Sequence, residues 1–231
     1  MRTEYEVEIK IYRHGKTPMN ERHCYIGRTD EGLSDSGAIE ISHLKEFGLY
    51  EVADYVFVSP MKRAKETANI AFPEKEQISI EEFKEMDFGS FEGKCYDELK
   101  DNVYYRKWID SHKKKTTDNK IYSDVVLPER KDLFTKRVAS GFERVLKIVS
   151  ENTRNEYSED SNKEFIEIKS KVAIVAHGGT VMSIVEAFTD NDYYSHMIPC
   201  GEGLNLTVRY EVDDNEDVTV SRLSINNRIC P

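Results

Sequence analysis

The 231-residue chain lacks a close cysteine pair. Its four cysteines, Cys24, Cys95, Cys200 and Cys230, are widely spread, with no C-x-x-C spacing. That spacing favours free thiols in a reducing cytoplasm over a disulfide framework. Long apolar runs are also missing. The longest, "YVFV" and "VAIVA", fall far short of the roughly 20 residues needed to cross a bilayer. The opening "MRTEYEVEIK" has no apolar stretch of the kind a signal peptide carries. Glycine (12) and proline (6) are too few for a fibrous or disordered chain. Positive charge is the minority, with 33 Lys and Arg against 43 Asp and Glu, a net charge of −10. Such a chain repels nucleic acid and anionic membranes overall. An anionic small molecule is compatible only with a site that concentrates positive charge locally.

With 39% hydrophobic residues, the chain is long enough to bury a proper core. Apolar and amphipathic segments alternate along it. Residues 5–12 and 54–60 read as strands, the second apolar enough to be buried on both faces of a parallel sheet. Between them, residues 32–48 read as a helix capped by Ser34 and stopped by Gly48, with Ala38, Ile41, Leu44 and Phe47 as its apolar stripe. Ser59 and Pro60 fit the N-cap and first position of a further helix, with Met61, Ala64, Ala68 and Phe72 on one side. Residues 77–83 form a third predicted strand. Residues 131–150 are an amphipathic helix with Phe134, Val138, Phe142, Val145 and Val149 on one face. Residues 171–179 read as another buried strand, followed by a helix. The tail reads as two strands joined by an acidic turn.

This alternation predicts an α/β fold: a three-layer α/β/α sandwich around a mostly parallel sheet. Residues 88–130 fit the pattern poorly and read as a small, mostly helical cap insert in a single domain spanning 1–231. Two polar stretches, 110–120 and 151–164, read as solvated surface loops. The lysine cluster in the first of them could draw anionic substrate.

Chemistry-bearing residues follow the predicted strands. Arg13-His14-Gly15 follow the first, and Ser59-Pro60 with Arg63 follow the second. Glu85 follows the third, and His177-Gly178-Gly179 follow the fourth. In an open α/β sheet the carboxyl ends of the strands line the ligand crevice. Two Arg, two His and one Glu at one edge point to phosphoryl transfer. The arginines offer planar forks for phosphate oxygens, and helix N-termini add backbone N–H groups. Gly15, Gly178 and Gly179 permit a close backbone approach. One neutral imidazole can attack phosphorus while the second, with the arginines, stabilises charge on the equatorial oxygens. A carboxylic acid can protonate the leaving alkoxide. Glu81, Glu82, Asp87 and Glu92 lie beside Glu85, and spacing alone does not choose among them. Two His and one Glu could also ligate zinc, but two arginines aimed at the same centre would oppose a dication.

The stretches "RHGKTPMN", "SPMKRAKETA", "EMDFGSFEG" and "AHGG" together resemble the histidine phosphatase superfamily, the phosphoglycerate-mutase-like fold, over residues 7–190. Within it, "RHGKTPMNERHCYIGRTDEGLSDSG" is most similar to the α-ribazole phosphatase and broad-specificity phosphatase branch. The resemblance implies that His14 is the nucleophile, that Arg13, Arg63 and His177 form the phosphate pocket, and that Glu85 is the proton donor. It places Asn20 and Thr17 at the substrate, beside Gly178, and implies no metal and no cofactor. His23, His43, His112 and His196 are left outside the chemistry. The expected function is a cytoplasmic, metal-independent phosphomonoesterase acting on a small-molecule phosphate ester, with α-ribazole 5'-phosphate as one candidate. No nucleic-acid or membrane partner is expected, and a homodimer stays open. The alternatives are a phosphoglycerate mutase and a non-catalytic phosphoester-binding module. The cap stretch "YYRKWIDSHKKKTTDNK" lacks the arginine pair and proline run of the mutases, which disfavours the first.

Overall fold

The structure, a computed structural model, describes residues 3–114, 126–156 and 165–231. Six strands form one sheet in the order β3-β2-β4-β1-β5-β6. They are β1 (Thr3–Arg13), β2 (Tyr55–Val58), β3 (Gln77–Ser79), β4 (Phe165–Ala176), β5 (Gly203–Val212) and β6 (Val218–Ile229). Strands β3, β2, β4 and β1 run parallel. The tail adds β5 and β6 as an antiparallel edge, turned through Asp213 to Asp217. The mostly parallel sheet expected from the alternation is therefore present.

Side-chain alternation splits the interior in two. On one face Ile9, Ile11, Phe57, Ile174 and Leu206 pack against the α6 (Lys131–Glu156) and α7 (Gly178–Phe188) residues Phe134, Phe142, Val181 and Ile184. On the other, Tyr12, Val56, Val58 and Val175 meet Ile41 and Leu44 of α2 (Asp35–Glu46) and Ala64 and Ala68 of α3 (Lys62–Ala71). Helices thus cover both faces of the sheet. Helix α2 begins at the expected cap, where Ser34 Oγ accepts from Gly37 N. It ends before Gly48, whose φ of +79° suits glycine. Phe47 departs from the expected stripe and is 85% exposed.

Three further boundaries differ from expectation. Helix α3 starts at Lys62 with Met61 as N-cap; Ser59 Oγ lies 2.7 Å from His177 Nε2 and accepts from Met61 N at 3.4 Å, one residue ahead of the helix. The third strand stops at Ser79, and Glu81–Phe83 form a 3-10 turn. Helix α6 runs on to Glu156, through part of the expected 151–164 loop, because Thr153 is buried and Arg154 lies over the Tyr5 ring. Residues 157–164 lie outside the described residues.

The chain between β3 and α6 winds through a 3-10 turn (Gly89–Phe91), α4 (Tyr96–Leu99) and α5 (Val103–Lys114). Helix α5 therefore also covers the start of the expected 110–120 loop, while residues 115–125 lie outside the described residues. Phe91, Leu99 and Tyr105 are buried together, with Tyr25, Phe88, Tyr104 and Trp108 packed around them. The aromatic residues of this segment form its own small core. A disulfide joins Cys24 to Cys95 across an isolated antiparallel bridge. This overturns the expectation of four free thiols; only Cys200 and Cys230 are free. The 71-residue separation hid the pair, since neither cysteine carries a local pairing pattern.

Candidate active site

Because β1, β4 and β2 are parallel, their carboxyl ends share one edge. Arg13 stands level with Ala176, and Val58 with Val175. One residue further, His14 N donates to Ala176 O at 2.9 Å and Ser59 N to Val175 O at 3.0 Å. This extension of the ladder sets His14, Ser59 and His177 side by side. The imidazoles of His14 and His177 lie 5.1 Å apart, nearly edge to face.

Hydrogen bonding assigns the tautomer of His14. Its Nδ1 sits 2.7 Å from Gly15 O. A carbonyl only accepts, so Nδ1 carries the proton and Nε2 keeps its lone pair. Arg63 Nε donates to that Nε2 at 3.2 Å. Arg63 is fully buried and held in plane by Nη1 to Thr29 O at 3.0 Å and Nη2 to Gly27 O at 2.8 Å. Arg13 is anchored by Nη1 to Ile198 O at 2.9 Å. Burial above all, then the charges of Arg63 and Arg13, hold the His14 pKa well below its ordinary value. Burial and the Arg63 charge do the same for His177. Both imidazoles are neutral near pH 7. Two buried atoms, Arg13 Nε and His177 Nδ1, have no hydrogen-bond partner among the described residues.

Glu85 reaches the same place from another direction, following the 3-10 turn after β3. It is 7% exposed. Its Oε1 accepts from Met86 N at 2.8 Å and its Oε2 from Gly179 N, in the first turn of α7, at 3.0 Å. A Cβ at position 179 would run into Glu85 Oε1, so the close approach requires glycine there. Burial raises the Glu85 pKa and outweighs the two amides and the nearby arginines, which lower it. The arrangement can place a neutral nucleophilic nitrogen, two guanidinium groups and a proton-holding carboxyl around one oxyanion.

The sequence-derived residues are thus gathered in part. Arg13, His14, Arg63, Glu85 and His177 converge, and a Cβ at position 178 would stand 3.5 Å from the Arg13 guanidinium carbon, so Gly178 borders that group. Thr17 and Asn20 are engaged with each other. Thr17 caps the short helix α1 (Pro18–Glu21) by accepting from Asn20 N at 3.2 Å, and Asn20 Oδ1 accepts from Thr17 N at 3.2 Å. Their visible work is to shape the turn after His14.

Supporting residues escaped the sequence reading. Thr67 Oγ1 accepts from Gly15 N at 2.9 Å and donates to Arg63 O at 2.7 Å, linking the His14 turn to α3. Its place four residues after Arg63, on the same helix face, was a usable sign. Glu92, seen from sequence only as a rival carboxylate, accepts from the amides of Gly27, Arg28 and Phe88 at 2.9–3.1 Å. It therefore fixes the loop whose carbonyls hold Arg63. Burial pushes its pKa up, but these amides and the Thr29 hydroxyl prevail and leave it low. In the tail, Gly201 N donates to the carbonyls of both Arg13 and His14. The half-buried thiol of Cys200 lies 3.9 Å from Asn20 Oδ1. Among the described residues, no cluster of three His, Cys, Asp or Glu is placed to hold a metal ion. No helix among them is long and apolar enough to cross a membrane.

Comparison with known proteins gives the family. A Hydrogenobacter thermophilus protein provisionally named phosphoserine phosphatase 2 is 26% identical over 204 residues, covering 84% of this chain and 86% of its own. Phosphoglycerate mutase 1 of Saccharomyces cerevisiae is 27% identical over 237 residues, covering 90% and 88%. A solved structure from Escherichia coli, bearing the provisional name alpha-ribazole-5'-P phosphatase, shares the fold with a TM-score of 0.58. It is 19% identical and covers 94% of this chain and 96% of its own. The family model of the histidine phosphatase superfamily (branch 1) matches residues 9–208. The chain belongs to the histidine phosphatase superfamily and is an enzyme of that type.

Proposed function

We propose that the chain is a metal-independent phosphomonoesterase that passes the phosphoryl group through His14. One observation carries this reading. Beside a histidine whose Nε2 keeps its lone pair and accepts from Arg63 Nε lie two buried polar atoms, Arg13 Nε and His177 Nδ1, without partners among the described residues. Unpaired buried polar groups are costly unless a ligand satisfies them. A phosphate ester supplies acceptor oxygens for the two arginines and a proton-bearing or proton-accepting oxygen for His177.

In the first step His14 Nε2 attacks phosphorus, and the bond from phosphorus to the ester oxygen breaks. Glu85 gives its proton to that departing oxygen. The arriving phosphoryl group takes over the Arg63 Nε–H that otherwise points at His14 Nε2. In the second step the Glu85 carboxylate takes a proton from water, whose oxygen attacks phosphorus as the P–N bond breaks. Ester and water become alcohol and inorganic phosphate, and the enzyme is regenerated. Arg13, Arg63 and His177 stabilise the equatorial oxygens throughout.

The substrate class is a small-molecule phosphate ester. Within it, α-ribazole 5'-phosphate is supported by the resemblance of the first motif alone. The similarity to a yeast phosphoglycerate mutase supports a second reading, in which the phosphohistidine returns its phosphoryl group to a phosphoglycerate.

Hydrolysis of p-nitrophenyl phosphate in excess chelator, by the wild-type and His14→Ala proteins, tests the proposal. Turnover that survives the chelator and is lost in the variant is expected. Substantial turnover by His14→Ala would overturn the nucleophile assignment. Isomerisation of 3-phosphoglycerate without net phosphate release would favour the mutase.

A further inference from the structure

Glu85 has no regular element beneath it. It lies past a single 3-10 turn, in a stretch free of helix and strand, yet proton transfer needs its carboxyl fixed to within a fraction of an ångström. What holds it comes from α6. Arg137 Nη1 donates to Glu82 O at 2.6 Å and to Lys84 O at 2.9 Å. The opposite side of the guanidinium forks onto Glu129, Nε to Oε1 at 3.1 Å and Nη2 to Oε2 at 2.8 Å. Glu129 in turn holds Asp87. Its backbone N donates to Asp87 O at 2.7 Å, and its Oε2 accepts from Asp87 N at 3.3 Å. The guanidinium lies over the Phe134 ring, 5.0 Å from its centre, which sets its plane.

The backbone is therefore pinned at residues 82, 84 and 87, on both sides of Glu85. Nothing in this set touches the reacting atoms. Arg28 Nη2, 3.7 Å from Glu129 Oε2, connects the set to the loop that holds Arg63. Arg137 already has structural anchors for all three of its nitrogens, so it is not a spare phosphate ligand.

We propose that Arg137 and Glu129 form a clamp that positions Glu85 for proton transfer to the leaving group. The inference rests on the reading of Glu85 as the proton donor. A planar five-donor guanidinium is needed, because two carbonyls and a carboxylate must be served at once. A lysine at 137 can serve only part of that set.

The test compares kcat/KM for two esters. An alkyl phosphate such as β-glycerophosphate has a leaving group that must be protonated, whereas p-nitrophenolate leaves without that help. In Arg137→Met, loss of general-acid help lowers kcat/KM for the alkyl ester by about 100-fold and for p-nitrophenyl phosphate by no more than about 3-fold. Arg137→Lys and Glu129→Gln are expected to fall between wild type and Arg137→Met. Equal losses on both esters, in variants that melt as cooperatively as wild type, would overturn the clamp. A second measurement needs no turnover. The amide protons of Met86 and Gly179, which bond the Glu85 carboxylate, should move in the NMR spectrum of Arg137→Met toward their positions in Glu85→Ala. If Arg137→Met does not fold, Glu129→Gln is read in its place. Unmoved amides would overturn the clamp even if the wild-type protein hydrolysed neither ester, an outcome that would separately defeat the phosphatase reading.

Discussion

At the scale of single residues, the site works through proton inventory. Gly15 O fixes the His14 proton on Nδ1, and burial beside two arginines keeps the ring neutral. Burial raises the Glu85 pKa, which keeps a proton on it to higher pH than on an exposed carboxyl. Hydrolysis of an alkyl phosphate should therefore fall as pH rises through the Glu85 pKa. In Glu85→Gln that alkaline limb should vanish, with kcat/KM on the alkyl ester reduced about 100-fold or more, as a pH–rate series would show. Thr67→Val removes the acceptor of Gly15 N and the donor to Arg63 O. It should cost about 1–3 kcal/mol in urea unfolding, because it leaves a buried amide unpaired.

At the scale of elements, the strands deliver and the loops restrain. Glu92 carries the loop of residues 27–29, and that loop carries Arg63. Glu92→Gln keeps the shape but loses charge-assisted acceptance of several amides. A rise in KM for p-nitrophenyl phosphate that exceeds any fall in kcat is the expected outcome. What sequence could show follows the same division. Arg13, His14 and His177 were legible because an apolar alternation stops abruptly at polar residues, and parallel strands bring such stops together. Ser59 was legible as a strand end but misleading as a cap, since its hydroxyl bonds His177 and the amide of Met61 and no amide within α3. The end of α6 was misread because its polar tail is held by Thr153 and Arg154 packing against other parts of the fold, contacts that local propensity cannot reveal. The Arg137–Glu129 clamp and the Cys24–Cys95 pair were invisible for the same reason. Each joins segments distant in sequence with no local pattern.

For the molecule as a whole, the buried histidines set its acid limit. The pKa values of His14 and His177 lie well below the ordinary value of 6.5. Below that pH the unfolded chain therefore binds protons that the folded one refuses. Stability falls as pH drops from about 6.5, by about 1.4 kcal/mol per pH unit for each histidine, until the folded-state pKa is reached. Glu85 has the opposite sign: its raised pKa favours the folded state on the acid side of its titration, one group against two. Urea midpoints between pH 7 and pH 5 should drop, and His177→Gln should flatten the slope. The disulfide adds a constraint of another kind. By joining Cys24 to Cys95, it turns the intervening chain into a closed covalent ring. Arg63, Glu85 and Glu92 sit on the ring, whereas His14 and His177 arrive on the two open arms outside it. A single protease cut within the ring would leave the two pieces tethered and running as one species on a non-reducing gel. A cut between the ring and either histidine would release a fragment bearing that histidine.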